Sequence, residues 1–515
     1  MLLSYIIVGL ILVGIFIYLW LQWNEKRSQH AFKIRGVRYI PQTNTIISLM
    51  RKERTELTKH EIINREKVKT FGFNLLNTYT ILVADPDIAG QVLSKNFTTF
   101  INRRYMKFED PIFGSVLSNA LDDQWKRLRS IMTPIFSAGS LRRMKTRIDD
   151  TIGNLLNNIE SSLKDGSNVD VKHLYGAFTL DTIIQIAFGV KVDSLTEPDN
   201  PIILHARKIT SQDMGVKDFG TVMLLFMMPK VAKLFGIRFQ KETLDYFQRF
   251  IENIIEKKRE TLQDGNGMGK GSSFLELVLE IEAEHEQQLA NQSLNDNKKI
   301  KKWMTTDEKI AQCIILLLAD YDTAATAITL ASYMLALYPE EQEKLYEEII
   351  TVTERLKHEN PEQELTDLIN TETLSRFEYM NGVVCETLRL YAPATMTERT
   401  ASNDIVLENL DQSIQINVKK GDVIFLPIYS MHRDPEQFPG PESFRPERFI
   451  GEPSFHKYSY LPFGSGPRNC VAKSLALLMV KLALLHTVRM YRFSRCEQTK
   501  IPFDIIPTLT KYINN

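Results

Sequence analysis

The chain has little of what would mark several protein classes. Among its 515 residues there are four cysteines, Cys313, Cys385, Cys470 and Cys496. Their spacings fit no zinc pattern, and four in so long a chain make no disulfide framework, which suits a reducing compartment. Charge of one sign is not in excess, because 63 basic residues balance 63 acidic ones. A nucleic-acid binder would carry a basic surplus, so that class is set aside. No Gly/Ser-rich linker, internal repeat or abrupt change of composition interrupts residues 50 to 510. One large domain is therefore the simplest organisation. A flavin or nicotinamide fingerprint is also missing.

What is present begins at the N-terminus. Leu2 to Trp23 contains no charged residue, and a run of that length spans a bilayer core as a helix. A cleaved signal peptide would have a basic start, a shorter apolar core and a small-residue cleavage site. Here the start is uncharged, and Tyr18, Trp20 and Trp23 stand near the far end as interfacial anchors. The expectation is a transmembrane anchor over residues 2–23, a linker over 24–50 and a large domain over 51–515. Lys26, Arg27, Lys33, Arg35 and Arg38 follow the span, with Glu25 the only acid among them. The positive-inside rule then leaves everything after the anchor in the cytosol.

Residues 90 to 400 read mainly as helices. From Met304 to Tyr338 the chain is largely apolar, with a Thr305/Glu308 capping box at its start and Pro339 closing it. That predicts one helix of about 50 Å, which must cross a protein interior. Before it, the charge-dense stretch Glu282 to Lys302 reads as a solvated loop. Residues 405 to 428 alternate between turn signals and read as short strands. Residues 434 to 463 hold six prolines and read as ordered coil, and helix resumes at Cys470. The predicted fold class is mainly α with a small β region.

The stretch Phe463-Gly464-Ser465-Gly466-Pro467-Arg468-Asn469-Cys470-Val471-Ala472 places a thiol after a glycine turn at the expected start of a helix. Free amides and the positive helix end favour a thiolate there. Glycines let backbone approach a flat ligand. Phe463 can shield the sulfur, and Arg468 can reach an anionic group at the ligand's edge. A lone cysteine beside a turn would more often be an inert core residue, but here ten residues act together.

This loop resembles the haem-binding signature of the cytochromes P-450, Phe-x-x-Gly-x-Arg-x-Cys-x-Gly, through Phe463, Gly466, Arg468 and Cys470. Ala472 replaces the final glycine. The resemblance covers essentially the whole chain and is strongest to the branch that holds the family-three drug oxidases and thromboxane synthase. It implies the P-450 fold, with 51–515 as a single haem-thiolate catalytic domain, haem b as cofactor and Cys470 as the axial iron ligand. Glu386 and Arg389, at i and i+3 on one helix, and Arg448 of Pro446-Glu447-Arg448-Phe449 match a structural triad beneath the haem. Trp125, Arg129, Arg103 and Arg399 match propionate contacts, as does Arg468. In Ala319-Asp320-Tyr321-Asp322-Thr323-Ala324, Ala319 would lie over the haem, Asp322 would relay protons and Thr323 would serve dioxygen or its water. Asp320 stands where the family usually has glycine.

The function implied is a monooxygenase that inserts one oxygen atom from dioxygen into a lipophilic small molecule. Its electrons would come from NADPH through a flavoprotein reductase, with cytochrome b5 as an optional further partner. No nucleic acid is involved. The expected location is the endoplasmic reticulum membrane, single-pass, with the catalytic domain on the cytoplasmic side. One alternative is a haem-thiolate isomerase that rearranges a lipid peroxide without reductase. Another is a haem-containing binding protein without turnover. Two weaker readings complete the set. The methionine-rich stretch Met223 to Phe235 stands where the family has membrane-touching substrate-entry helices, and Lys126 and Arg127 are candidates to face an electron donor.

Overall fold

The computed structural model describes residues 23–41, 55–75, 78–104, 110–164, 168–210, 221, 224–225, 229–238, 240–263, 273–290 and 303–501. The expected anchor lies outside them except for Trp23, as do residues 42–50 of the expected linker, most of Met223–Met228 and the side chain of Asp320.

Two apolar cores organise the chain, one among helices and one around a small sheet. The helices that matter for the site are α1 (Asp122–Ile135), α2 (Ala138–Lys164), α3 (Val171–Phe188), α4 (Thr306–Leu337), α5 (Pro339–Glu359), α6 (Glu378–Leu390) and α7 (Lys473–Met490). The expected capping box starts α4: Glu308 N–H donates to Thr305 Oγ1 at 3.2 Å, and Thr305 N–H donates to the Glu308 carboxylate at 3.0 Å. Tyr338 ends α4, and Pro339 opens α5 at its first position, where its missing N–H costs nothing. Among the described residues α4 is the one helix long and apolar enough to cross a membrane. Its apolarity has another cause. It runs along α3, which is itself buried almost all round from Leu174 to Phe188, and a helix apolar on every face belongs inside a core.

The four-stranded sheet is built from β1 (Thr70–Leu75), β2 (Thr78–Val83), β3 (Thr397–Thr400) and β6 (Val423–Leu426), in the order β1-β2-β6-β3. β2 and β6 are parallel and the other two pairings antiparallel. β4 (Ile405–Glu408) and β5 (Gln415–Val418) form a separate antiparallel pair. The alternating stretch thus holds three short strands separated by turns, while Ile428 already begins the short helix Ile428–Met431, and 434–463 is coil with one short 3₁₀ turn at Pro446–Phe449.

Three expectations are corrected. The charge-dense stretch from Glu282 onward is helical to Ala290, as the end of the helix Phe274–Ala290. Its Leu275, Leu277, Val278 and Leu279 are buried, and Glu282 accepts Met304 N–H at 3.0 Å and pairs with Lys309 at 2.6 Å. Those four residues precede Glu282, so the apolar stripe that holds the helix lies upstream of the charged stretch. Residues 291–302 lie outside the described set. Second, residues 31–40 are more than a linker. Phe32 is fully buried against Gly72, where an added Cβ would meet its ring at 2.1 Å. Ile40 N–H donates to Gly72 O at 2.9 Å, Gly72 N–H donates to Arg38 O at 2.8 Å, and Arg35 grips Asp422 with two bonds of 2.6 and 2.7 Å. Third, α7 starts at Lys473, with Val471 and Ala472 between it and Cys470.

Candidate active site

The thiol loop is shaped by two glycines in the left-handed region, Gly464 at φ +67° and Gly466 at φ +73°. Asn469 N–H donates to Gly466 O at 3.1 Å, and Cys470 N–H donates back to Phe463 O at 2.9 Å. The loop is packed so tightly on the turn Gln91–Lys95 that a Cβ on Gly466 would stand 1.8 Å from Leu93 O. Cys470 emerges exposed from this frame, while Ala472 and Leu475 behind it are buried. Phe463 packs against the helical core and carries Lys473 Nζ over its ring at 5.8 Å. α1 fixes the loop from the side, since Arg129 donates to Asn469 O at 2.7 Å and to Asn469 Oδ1 at 2.6 Å. Both ends of that guanidinium are therefore turned to the residue before Cys470.

Next to the loop lies a concentration of buried cations. Arg468 is 4% exposed, donates to Ile101 O at 2.9 Å and to Ala120 O, and lies over the Trp125 ring at 4.9 Å. Trp125 is buried on α1 and packs on Phe97 at 5.5 Å. Arg399 on β3 is 1% exposed, and its Nη1 donates to Thr397 Oγ1 and Glu398 O. Burial first, and the charge of Arg103 second, push Arg399 and Arg468 down to about 9. Arg103 is also lowered, mainly by burial, with Glu398 and Cys470 opposing. The acid Glu398 already pairs with Arg104 at 3.2 Å. The Nε atoms of Arg103 and Arg399 are buried and have no hydrogen-bond partner among the described residues. Buried cations that repel one another and keep free donors fit an anionic edge such as two haem carboxylates. The exposed thiol beside them is of the chemical type that ligates a haem iron.

On α4, Thr323 Oγ1 donates to Ala319 O at 2.6 Å. From the neighbouring helix, Thr179 Oγ1 donates to Tyr321 O at 3.0 Å. The carbonyls of two residues in the Ala319–Ala324 motif thus each accept a hydroxyl. Ala319 is exposed although Leu316 and Leu317 before it are buried, so open space adjoins the helix there. Asp322 and Thr323 are half-buried. Tyr321 is raised by burial first and by the charge of Asp322 second, with Arg207 opposing. Thr179 carries no sequence signal that would single it out.

Beneath the loop, α6 supplies a fully satisfied ion cluster. Arg389 holds Glu386 with bonds of 2.7 and 2.8 Å, and both side chains are fully buried. Arg389 Nη1 also donates to His432 O at 2.8 Å, and Glu386 Oε1 accepts Arg445 N–H at 2.9 Å and Arg448 Nε at 3.3 Å. The sequence reading missed His432. Its ring is fully buried, bonds Arg389 O through Nδ1 at 3.0 Å, and accepts Leu461 N–H at Nε2 at 2.8 Å. It pins the ion cluster to the strand of coil that leads into Phe463. Burial drives it down to about 3, so the ring is neutral. Arg127, a candidate for facing an electron donor, is instead tied to Glu308 and to Trp303 O. Lys126 stays exposed beside Asp123.

A helical core crossed by one apolar helix, a small sheet, and a single exposed thiol beside unneutralised buried arginines define a haem-thiolate enzyme. Residues 43–511 match the model of the family described as Cytochrome P450, and the chain belongs to that family. It is 30% identical to Cytochrome P450 3A9 of Rattus norvegicus over 476 residues, 92% of this chain and 88% of the relative. Cytochrome P450 3A13 of Mus musculus is 31% identical over 82% of this chain and 79% of its own length. For Cytochrome P450 3A30 of Fundulus heteroclitus the identity is 31%, with 82% and 80% covered. The protein is thus a monooxygenase with haem b as its cofactor, similar to the family-three branch.

Proposed function

We propose that this chain inserts one oxygen atom into a lipophilic small molecule at the endoplasmic reticulum membrane, using electrons from NADPH passed through a separate flavoprotein reductase. Cytochrome b5 is a further electron partner in this reading. The observation that carries it is the Asp322–Thr323 pair on the stretch of α4 that Ala319 leaves open. Haem, when bound, supplies dioxygen activation, and electron donation from a thiolate favours O–O cleavage. Cys470 provides that thiolate. Arg103, Arg399, Arg468 and Trp125 hold and orient the propionate edge, and Arg129 keeps Asn469 and so Cys470 in place. Ala319 leaves room above the ring. Asp322 takes a proton from solvent, and Thr323 holds one at Oγ1, the group–group transfer that splitting dioxygen requires. Glu386, Arg389 and Arg448 act on the loop from below and touch no reactant.

The anchor over residues 2–23 and the catalytic domain on the cytoplasmic side belong to the same reading. Leu234 and Phe235, 80% and 71% exposed at the end of the helix Pro229–Leu234, support a second contact with the bilayer. One observation favours the isomerase alternative. The Thr323 hydroxyl donates to its own helix at 2.6 Å, an ordinary arrangement for a helical threonine. The test is NADPH consumption by the purified full chain with reductase and a binding lipophile. Coupled product formation supports the monooxygenase. Conversion of a lipid peroxide without reductase supports the isomerase, and haem uptake with neither supports a binding protein. Cys470→Ser is expected to lose both activity and the reduced carbon-monoxide spectrum of the wild type, because a hydroxyl is a far weaker anionic ligand than a thiolate.

A further inference from the structure

We propose that Asn102 and Asp122 form a clasp that keeps the propionate arginines in register and thereby controls how fast the chain releases haem. Asp122 is the first residue of α1 and has φ +42°, a left-handed backbone that is uncommon outside glycine and tolerated mainly by Asp and Asn. The unusual conformation is matched by an unusual pairing. Asp122 N–H donates to Asn102 Oδ1 at 3.0 Å, while Asn102 Nδ2 donates to Asp122 Oδ1 at 2.8 Å. The two residues thus close a reciprocal ring between segments twenty positions apart.

The clasp stands where the cation-bearing elements meet. Asn102 O accepts Thr400 N–H at 2.8 Å, so the clasp is bonded directly to β3. Arg103 follows Asn102, and Arg399 precedes Thr400. Trp125 lies one turn into α1 from Asp122. Arg468 bonds the carbonyls of Ile101 and Ala120, just ahead of the two clasp residues. The Asp122 carboxylate also favours the charged form of Arg468, against the effects of burial and of Arg103. Three segments distant in sequence, each carrying a cation or ring for the propionate edge, are therefore tied at one point.

Both clasp residues lie toward solvent, and such hydrogen bonds add little to global stability because water replaces them on unfolding. Strain held in a backbone without a return in stability is the pattern of a functional constraint. What the clasp resists is local: parting residues 101–104 and β3 from α1, the movement that would uncover the propionate edge. Its conclusion rests on the reading that Arg103, Arg399 and Arg468 face the propionates.

The test uses the full-length ferric holoenzyme and follows haem transfer to excess apomyoglobin in the Soret band, with thermal unfolding of each variant beside it. Asp122→Gly accepts the positive φ but removes the carboxylate. It leaves the bond from the residue-122 backbone N–H, whereas Asn102→Ala removes both bonds. Each is expected to lose haem about ten-fold faster, the factor given by about 1.4 kcal/mol, with little change in Tm. The two together are expected to be no worse than Asn102→Ala alone, since that change already breaks both bonds. Asp122→Asn keeps the acceptor and tolerates the backbone, and is expected to stay within roughly two-fold of wild type. Arg399→Ala checks the underlying reading. If it accelerates haem loss while Asp122→Gly and Asn102→Ala do not, the clasp is refuted and the propionate reading stands. If Arg399→Ala also has no effect, both fall. Acceleration matched by an equal fall in Tm, or an Asp122→Asn as fast as Asp122→Gly, also overturns the clasp.

Discussion

Gly466→Ala tests how the thiol loop is held. Two costs add at this position. With φ at +73°, a residue bearing a Cβ pays roughly 1–2 kcal/mol for the left-handed backbone. The new methyl would also stand 1.8 Å from Leu93 O and 2.8 Å from the Leu93 carbonyl carbon. That neighbour is backbone, and Leu93 is fully buried in a turn packed on the sheet core. It cannot swing aside as a flexible side chain would, so the loop must move, adding about 1–3 kcal/mol of overpacking. Movement there breaks the Cys470-to-Phe463 bond of 2.9 Å that aims the thiol. Gly464 provides the contrast. Its φ is +67°, but the nearest atom to an added Cβ is Asn469 Cα at 3.9 Å, an ordinary contact. Gly464→Ala therefore carries the backbone cost alone, about 1–2 kcal/mol. The assay is the reduced carbon-monoxide difference spectrum per unit of purified protein, with Tm. Gly466→Ala is expected to hold little haem with a native signal, and Gly464→Ala most of it. Equal, near-normal haem content in both would refute the argument that Leu93 fixes the loop.

Arg389→Ala should yield little holoprotein, because it strands the buried Glu386 carboxylate at a cost of about 3–5 kcal/mol; normal haem content with a selective loss of turnover would instead make the pair catalytic. Thr323→Ala should keep haem but uncouple NADPH use from product, with hydrogen peroxide rising and product falling by up to roughly 10²–10⁴-fold; unchanged coupling would remove Thr323 from proton delivery. His432 should make the enzyme acid-sensitive. Its folded value is pushed down to about 3 from an ordinary 6.5, so the unfolded chain binds the extra proton, and stability present above pH 6.5 is lost as pH falls toward 3, by up to about 3–5 kcal/mol. His432→Gln should lower Tm at neutral pH yet flatten its decline in acid relative to wild type. An unchanged acid slope would mean that His486, lowered to about 4 by burial, dominates instead.

What could be read in the sequence was whatever short-range chemistry specifies. The capping box of Thr305 and Glu308 needs only a three-residue spacing, and the strands at 405–426 only alternation between turns. The glycines of the thiol loop announce their own backbone. What escaped depends on partners far apart along the chain. Arg35 and Asp422 are 387 positions apart, so nothing local distinguished Arg35 from the basic residues beside it. His432 reads as one histidine in a coil until Leu461 and Arg389 close on it. Arg127 stood as a candidate to face an electron donor, yet Glu308, 181 positions away, accepts from it. The helix through Glu282 escaped because its four buried aliphatic residues, Leu275 and Leu277 to Leu279, stand before the charged stretch and Glu282 meets its cation only in Lys309.

The arginines show the physical difference between holding a fold and awaiting a ligand. Arg389 is fully buried, but carboxylate and carbonyl acceptors meet its Nε, Nη1 and Nη2. Such a cation needs nothing from outside the chain, and its removal is a structural injury. Arg399 is almost as buried, yet its Nε has no partner among the described residues, and Arg103 and Arg468 add like charge around it. Arg433 also has buried donors without hydrogen bonds, but the Glu442 carboxylate stands 3.3 Å from its Nε. The Arg399 group keeps no such carboxylate to itself, because Glu398 is bonded to Arg104. Burying unneutralised charge is costly unless an anion completes the site. Were the haem carboxylates to supply that anion, haem binding would be tied to the folding of β3 and α1 as well as to the iron ligand.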